Sequence, residues 1–168
     1  MTVKVGDTLP PGKLSEFIEV ETAGCALGPN EFSVEDLTKG RKVAIFGLPG
    51  AFTPTCSAKH VPSYLAQLPA LKSKGIAEVI CMSVNDPFVM GAWARDQKSV
   101  GKIRMMGDGS AAYTKALGLE FDLTARGMGV RCQRFSMVVD NGVVTTLNIE
   151  APGKYEVSDA ETLLKQLG

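Results

Sequence analysis

The sequence predicts an α/β fold, a central mixed sheet with flanking helices and an N-terminal extension. Three features point to it. Short apolar runs that read as buried strands alternate with segments of helical composition. An Asp-Asn-Gly turn sits between two β-rich runs late in the chain. A capping sequence followed by spaced leucines closes the chain as a helix. At 168 residues, one domain spanning 1–168 is expected, large enough to bury a core without disulfides.

Lys42–Leu48 (KVAIFGL) is the first buried strand, ended by Pro49-Gly50. Cys56–Lys74 follows as a helix, with a kink expected near Pro62 and an end or second break near Pro69. Gly75 suits its C-terminus. Ile76–Val84 (IAEVICMSV) is the second strand. Asn85-Asp86-Pro87 supplies a capping side chain and then proline at the first helical position, opening a helix to about Lys98. Lys102–Met106 is a third strand, and Asp108-Gly109-Ser110 caps a short helix to about Leu117, closed by Gly118. Phe135–Val139 and Val143–Leu147 flank Asp140-Asn141-Gly142, the strongest short hairpin signal. Ser158-Asp159-Ala160-Glu161 reads as a capping box for a last helix carrying Leu163, Leu164 and Leu167. The alternation implies parallel strands and the hairpin an antiparallel edge. A βαβ unit joined to a ββα unit is the plan of the thioredoxin fold. Residues 1–35, rich in Gly and Pro, are expected to lie against this core.

Composition narrows the function classes. Hydrophobic residues make up 45% and charged residues 21%, as in ordinary globular chains. Eighteen basic residues balance eighteen acidic ones with no clustered basic face, which argues against a nucleic-acid partner. No apolar run has the length to cross a bilayer, and Met1–Pro10 lacks the apolar core of a signal peptide. A soluble, cytoplasmic protein with no membrane partner is therefore expected. Cys25, Cys56, Cys81 and Cys132 are widely spaced, with no C-x-x-C pair and a single His. That argues against a metal site and a disulfide framework, and no cofactor is expected.

The chemically informative stretch is Phe46–His60, FGLPGAFTPTCSAKH. It lies where the first strand ends and a helix begins, the end of an open α/β sheet at which ligands bind. Cys56 falls in the first helical turn, where unpaired N–H groups and the helix dipole stabilise a thiolate. A lone cysteine is more often a small buried hydrophobe. Its position beside a Pro/Gly/Thr-rich loop favours the nucleophile.

Pro49-x-x-x-Thr53-x-x-Cys56 resembles the active-site signature of the peroxiredoxins. The longer string PGAFTPTCS resembles their type II (peroxiredoxin-5-like) subfamily in particular. SVNDPFVMGAW (Ser83–Trp93), DGSAAYTKALGL (Asp108–Leu119) and RFSMVVDNG (Arg134–Gly142) extend the likeness over nearly the whole chain. The resemblance implies a thioredoxin fold and a thiol peroxidase that reduces hydrogen peroxide and alkyl hydroperoxides. It implies that Cys56 is the peroxidatic cysteine, oxidised to sulfenic acid. Thr53 would hydrogen-bond thiolate and peroxide, Pro49 would shield the thiolate from water, and Arg134 would aim its guanidinium at the site. On the residues alone, Thr53 and Pro49 read as loop chemistry, Arg134 as a solvated strand-end charge, and Arg131 as its rival.

An unperturbed thiol with pKa about 8.5 is roughly 3% ionised at pH 7, so full ionisation gains only about 30-fold. A fast peroxidase must obtain the rest by stabilising charge on the departing oxygen. Arg134, the Thr53 hydroxyl and the N–H groups of Thr53–Cys56 are the candidate donors.

Regeneration is less defined. No cysteine follows Cys132, so resolution by a C-terminal cysteine does not carry over. Cys81 resembles the second cysteine of plant-type members and is the candidate resolving residue, although its strand reads as core. Pairing needs Cα atoms within about 7 Å, and hence local unfolding of the helix start. Cys132 shares strand parity with Arg134, and Cys25 reads as a bystander. The resemblance implies an external thiol, glutathione with or without glutaredoxin, with thioredoxin as the alternative reductant. His60 reads as a surface or capping residue rather than a base, because the reaction starts from a thiolate. Phe88 and Trp93 lie at core spacing. Phe52, Leu117 and Phe121 are expected at the mouth of the site or a subunit contact, and the resemblance implies a homodimer. A peroxide sensor or signalling adaptor would use the same Cys56 and differ only in turnover. A non-catalytic scaffold would leave the joint presence of Pro49, Thr53, Cys56 and Arg134 without a reason.

Overall fold

The N-terminal residues are built into the sheet rather than laid on it. In the computed structural model, which describes residues 1–19 and 24–168, Lys13–Ile18 (β1) pairs antiparallel with Gly28–Ser33 (β2). On its other side, Ser15 and Glu16 of β1 pair with Gly107 and Met106. Helix α1 (Val34–Thr38) is capped by the Ser33 hydroxyl, which accepts from the Asp36 amide.

The expected βα units follow. They are β3 (Lys42–Leu48), a π-helical turn Cys56–His60 that runs into α2 (Val61–Ser73), β4 (Glu78–Ser83), α3 (Pro87–Asp96), β5 (Arg104–Gly107) and α4 (Ala112–Ala116). A small antiparallel ribbon comes next, β6 (Glu120–Leu123) with β7 (Gly129–Cys132). The hairpin β8 (Phe135–Asp140) and β9 (Val143–Ile149) and the helix α5 (Ala160–Leu167) complete the chain. The main sheet has the order β2-β1-β5-β4-β3-β8-β9. Strands β3, β4 and β5 are parallel and the remaining pairings antiparallel. This is the thioredoxin-like mixed sheet that the element order implies.

Alternation along β3 divides the core. Ala44, Phe46 and Leu48 face one apolar cluster with residues of α2, α3 and α5, while Val43 and Ile45 face the other with residues of α1 and α4. A strand covered on both faces carries a continuous apolar run, as Lys42–Leu48 does.

Local signals are read correctly where one residue type satisfies one need. Asp86 caps α3 by accepting from the Val89 amide, with Pro87 at its first position. Asn141 and Gly142 have φ of 48° and 81°, the two left-handed residues that the hairpin turn requires. Two expectations are corrected. Pro69 lies inside α2 without ending it, since Leu68 and Leu71 bury the helix on the core across the missing donor. The cap of α5 is Asp159, which accepts from the Thr162 amide, and not Ser158. The irregularity expected near Pro62 takes the form of a π-helical turn, closed by the Val61 amide on the Cys56 carbonyl, that gives way to α2 at Val61. Among the described residues no helix is long and apolar enough to cross a membrane.

Candidate active site

Strand β3 delivers the chain to Pro49, and the loop to Thr55 returns it into the π-helical turn at Cys56. The loop is held from several sides. The Ala51 amide donates to Asn85 Oδ1 (3.0 Å), and the Thr53 hydroxyl donates to the Gly50 carbonyl (2.6 Å). Arg131 donates to the carbonyls of Met128 (2.8 Å), Pro49 (3.4 Å) and Val84 (3.5 Å). A Cβ at Gly50 would lie 2.9 Å from Arg131 Nη1 and 3.2 Å from Thr53 Cγ2, so a side chain there would push the guanidinium out of its brace. Phe52 has φ of 64°, uncommon for a bulky residue, and its ring is 54% exposed. Behind the turn, the Trp93 indole N–H donates to Ser57 Oγ (3.0 Å).

Cys56 is buried, and Arg134 Nη2 lies 3.2 Å from its sulfur. The other guanidinium nitrogen, Nη1, lies 2.9 Å from His60 Nδ1. Arginine only donates, so Nδ1 must accept and the imidazole proton resides on Nε2, which donates to the Ser158 carbonyl at 3.0 Å. Burial, reinforced by the Arg134 charge, lowers the His60 pKa from 6.5 to about 3. His60 is thus a neutral, buried residue that holds Arg134. The surface or capping role expected for it is corrected, because its partners lie far away in sequence.

The rivalry between the two arginines resolves by contact. Arg134 reaches the thiol and Arg131 braces the loop. Pro49, Thr53, Cys56 and Arg134 all gather at the carboxyl end of β3. Thr53, however, spends its proton on Gly50 rather than on sulfur. Above them opens a cleft of ≈ 720 Å³ lined by Pro49, Thr53, Arg134, Phe121 and Tyr155, with Lys59, Arg126 and Lys154 also on its walls.

The other cysteines separate by burial. Cys81 sits on β4 in the same apolar cluster as Cys56, and burial, with smaller contributions from Cys56 and Cys132, pushes its thiol pKa well up. Cys132 belongs to the opposite cluster, donates its S–H to the Gln133 carbonyl (3.1 Å) and ends β7, so strand parity does not extend to Arg134. Cys25 is half-buried. Trp93 is core as expected, but Phe88 is 61% exposed. Leu117 is buried in the core rather than at the mouth. Sequence reasoning missed Tyr155, Ser158 and Glu150, which carry no local signal of their proximity to Cys56.

Comparison with known proteins supplies the family. The redoxin family model matches residues 4–164. Peroxiredoxin-2C of Oryza sativa subsp. japonica and peroxiredoxin-2B of Arabidopsis thaliana are each 47% identical over 165 residues, covering 98% of this chain and 98% of their own. The crystal structure of reduced Prx3 from Vibrio vulnificus in complex with hydrogen peroxide is 46% identical, with a TM-score of 0.91 over 99% of this chain and 100% of that one. Identity at this level along the whole length shows family and activity together: the chain belongs to the type II peroxiredoxins, thiol peroxidases of the redoxin family.

Proposed function

We propose that Cys56 is the residue peroxide oxidises, and that glutathione, directly or through glutaredoxin, returns it to the thiol. The observation that carries the first part is the Arg134 guanidinium 3.2 Å from a buried sulfur below an open cleft. The Cys56 thiolate attacks the near oxygen of the peroxide, the O–O bond breaks, and Cys56 becomes a sulfenic acid. The far oxygen takes the electron pair and a proton and leaves as water or an alcohol. Arg134 stabilises the charge moving off sulfur and onto that oxygen, together with the N–H groups of the loop. The Thr53 oxygen, its proton committed to Gly50, accepts from the peroxide O–H and aligns the O–O bond, a role as acceptor rather than donor. Pro49 keeps water from the thiolate.

The reductant reading rests on the cleft. Its ≈ 720 Å³ far exceeds what hydrogen peroxide needs, and Lys59, Arg126 and Lys154 on its walls complement the two carboxylates of glutathione as Glu156 complements its ammonium. One thiol displaces the sulfenic hydroxyl as water, leaving a mixed disulfide, and a second releases Cys56 with formation of oxidised glutathione. The alternative draws on Cys81, which shares a cluster with Cys56. A disulfide between them would be reduced by thioredoxin. A homodimer through the face carrying the exposed Phe52 ring is proposed with this reading. So is a cytoplasmic location, in line with the two plant relatives, whose names carry no organelle.

Mass analysis after one equivalent of peroxide in the presence of glutathione tests the scheme. A single glutathione on Cys56 is expected. A Cys56–Cys81 disulfide would transfer the case to thioredoxin, and unchanged oxidation in Cys56→Ser would refute the assignment of the nucleophile.

A further inference from the structure

The Glu150 carboxylate is engaged in a way that the peroxide chemistry does not use. It directly follows β9 and is 5% exposed. Four donors converge on it. They are the amides of Glu156 (3.0 and 2.8 Å to its two oxygens), Val157 (2.9 Å) and Ser158 (2.9 Å), and the Ser158 hydroxyl (2.7 Å). Burial pushes its pKa up, but the Ser158 hydroxyl and these amides outweigh it and hold the carboxyl below its ordinary value, so it is ionised at neutral pH. Charge-assisted bonds of this kind are strong. They close the loop 151–157 onto the strand that precedes it.

That loop ends where the Cys56 network begins. The Ser158 carbonyl accepts from His60 Nε2 (3.0 Å) and from the Tyr64 hydroxyl (3.1 Å). Tyr155 of the loop sets its ring 5.2 Å from the His60 ring and 5.8 Å from the Arg134 guanidinium carbon. The Glu150 amide itself donates to the Arg134 carbonyl (2.9 Å). Glu150 therefore touches both ends of one path: the backbone that carries Arg134, and the carbonyl that keeps the His60 proton on Nε2. With that proton fixed, Nδ1 is free to accept from Arg134 Nη1, and Nη2 is left for the sulfur.

We infer that Glu150 is a positioning residue for the reacting pair: by holding residues 156–158 it fixes the Ser158 carbonyl, through it the His60 tautomer, and through His60 the aim of Arg134 at Cys56. The inference rests on the reading of Cys56 and Arg134 as the reacting pair. A carboxylate that only stabilised the fold would leave the His60 tautomer and the peroxide rate of folded molecules unchanged.

The test compares wild type with Glu150→Gln, Glu150→Ala and Ser158→Ala. A glutamine carbonyl in the place of Oε2 can accept from all four donors, so Glu150→Gln removes the charge while Glu150→Ala removes the contacts. The second-order rate with hydrogen peroxide should fall about 10- to 100-fold in Glu150→Ala, as for a misplacement of about 1 Å at a reacting centre, and less in Glu150→Gln. Ser158→Ala should fall less, because the carboxylate and the carbonyl remain. Nitrogen NMR of the imidazole should show a single Nε2–H form in wild type. In the variants it should show mixed tautomers, with a titration moved from about 3 back toward 6.5. A folded Glu150→Ala with the wild-type His60 signature and a rate within about twofold would overturn the inference. If the Glu150 variants do not fold, Ser158→Ala decides: an unchanged rate and unchanged imidazole signals overturn it equally. Wild type is the control that separates the two readings. A wild type no faster than a free thiol would sink the role of Cys56, whereas a fast wild type with unaltered variants would sink only the role of Glu150.

Discussion

Arg134→Met removes two contacts at once, the 3.2 Å approach to the Cys56 sulfur and the 2.9 Å bond to His60 Nδ1. A hydrogen bond to a charged group contributes about 1.5–3 kcal/mol, and loss of a donor aimed at developing charge about 2.7–4 kcal/mol. With tenfold in rate for every 1.4 kcal/mol or so, peroxide reduction at pH 7 should slow by about 10²-fold. Arg134→Lys keeps the charge but not the fork, and one ammonium cannot serve both sulfur and imidazole, so a loss of about tenfold is expected. The assay is rapid mixing of reduced protein with hydrogen peroxide, quenched into an alkylating reagent and read by intact mass. Reading the thiolate absorbance of the same samples separates two explanations. The rate is divided by the thiolate fraction of each variant, so a deficit caused only by lost ionisation would vanish. A deficit that persists per thiolate places Arg134 in the transition state. A deficit that disappears would refute that reasoning and leave Arg134 as a counter-ion alone.

Three further outcomes are expected. Thr53→Val removes the oxygen proposed to accept from peroxide and leaves the Gly50 carbonyl without its 2.6 Å donor; the peroxide rate should drop about tenfold, and Thr53→Ser should restore most of it. The His60 pKa is depressed in the folded state, from 6.5 to about 3, so the unfolded chain binds the extra proton. Stability should therefore be full above about pH 6.5 and decline as pH falls toward 3, by at most about 1.4 kcal/mol per pH unit. Urea titrations at pH 7, 5 and 4 on wild type and His60→Gln read this, and equal slopes in both would count against it. Cys81→Ser should keep the peroxide rate and the glutathione adduct, since a thiol whose pKa is raised by burial stays unreactive. Loss of turnover with the adduct intact would instead make Cys81 the resolving residue.

Features set by one residue and its immediate neighbours were legible in the sequence. Asp86-Pro87 can hardly be anything but a helix start, and Asn141-Gly142 between apolar runs leaves one turn geometry. The Cys56 motif falls at the strand end for the same local reasons. The choice between Ser158 and Asp159 as the cap of α5 was not local, because Ser158 is claimed by Glu150, eight residues earlier in the chain. The ribbon β6–β7 is similarly silent: EFDL and GVRC are short and mixed, and their pairing, with Phe121 opposite Arg131, has no local signal. Phe88 and Trp93 share a helix and an apolar character, yet only Trp93 faces the core and finds a partner, Ser57, for its N–H.

The same distinction explains why Cys56, the proposed nucleophile, stands out in the sequence more clearly than the network around it. Cys56 is marked by a turn of chain, whereas His60 matters through Arg134, 74 residues away, and through Ser158, 98 residues away. Periodicity registers His60 as a polar residue in a helix and predicts solvent for it. The fold buries it instead, and the physical cost of burying an imidazole is met by two hydrogen bonds that also fix its tautomer. A buried polar residue with both nitrogens satisfied becomes a rigid part. Rigidity at His60 limits where the guanidinium can point, and the direction of that guanidinium distinguishes an organised peroxide site from a buried thiol.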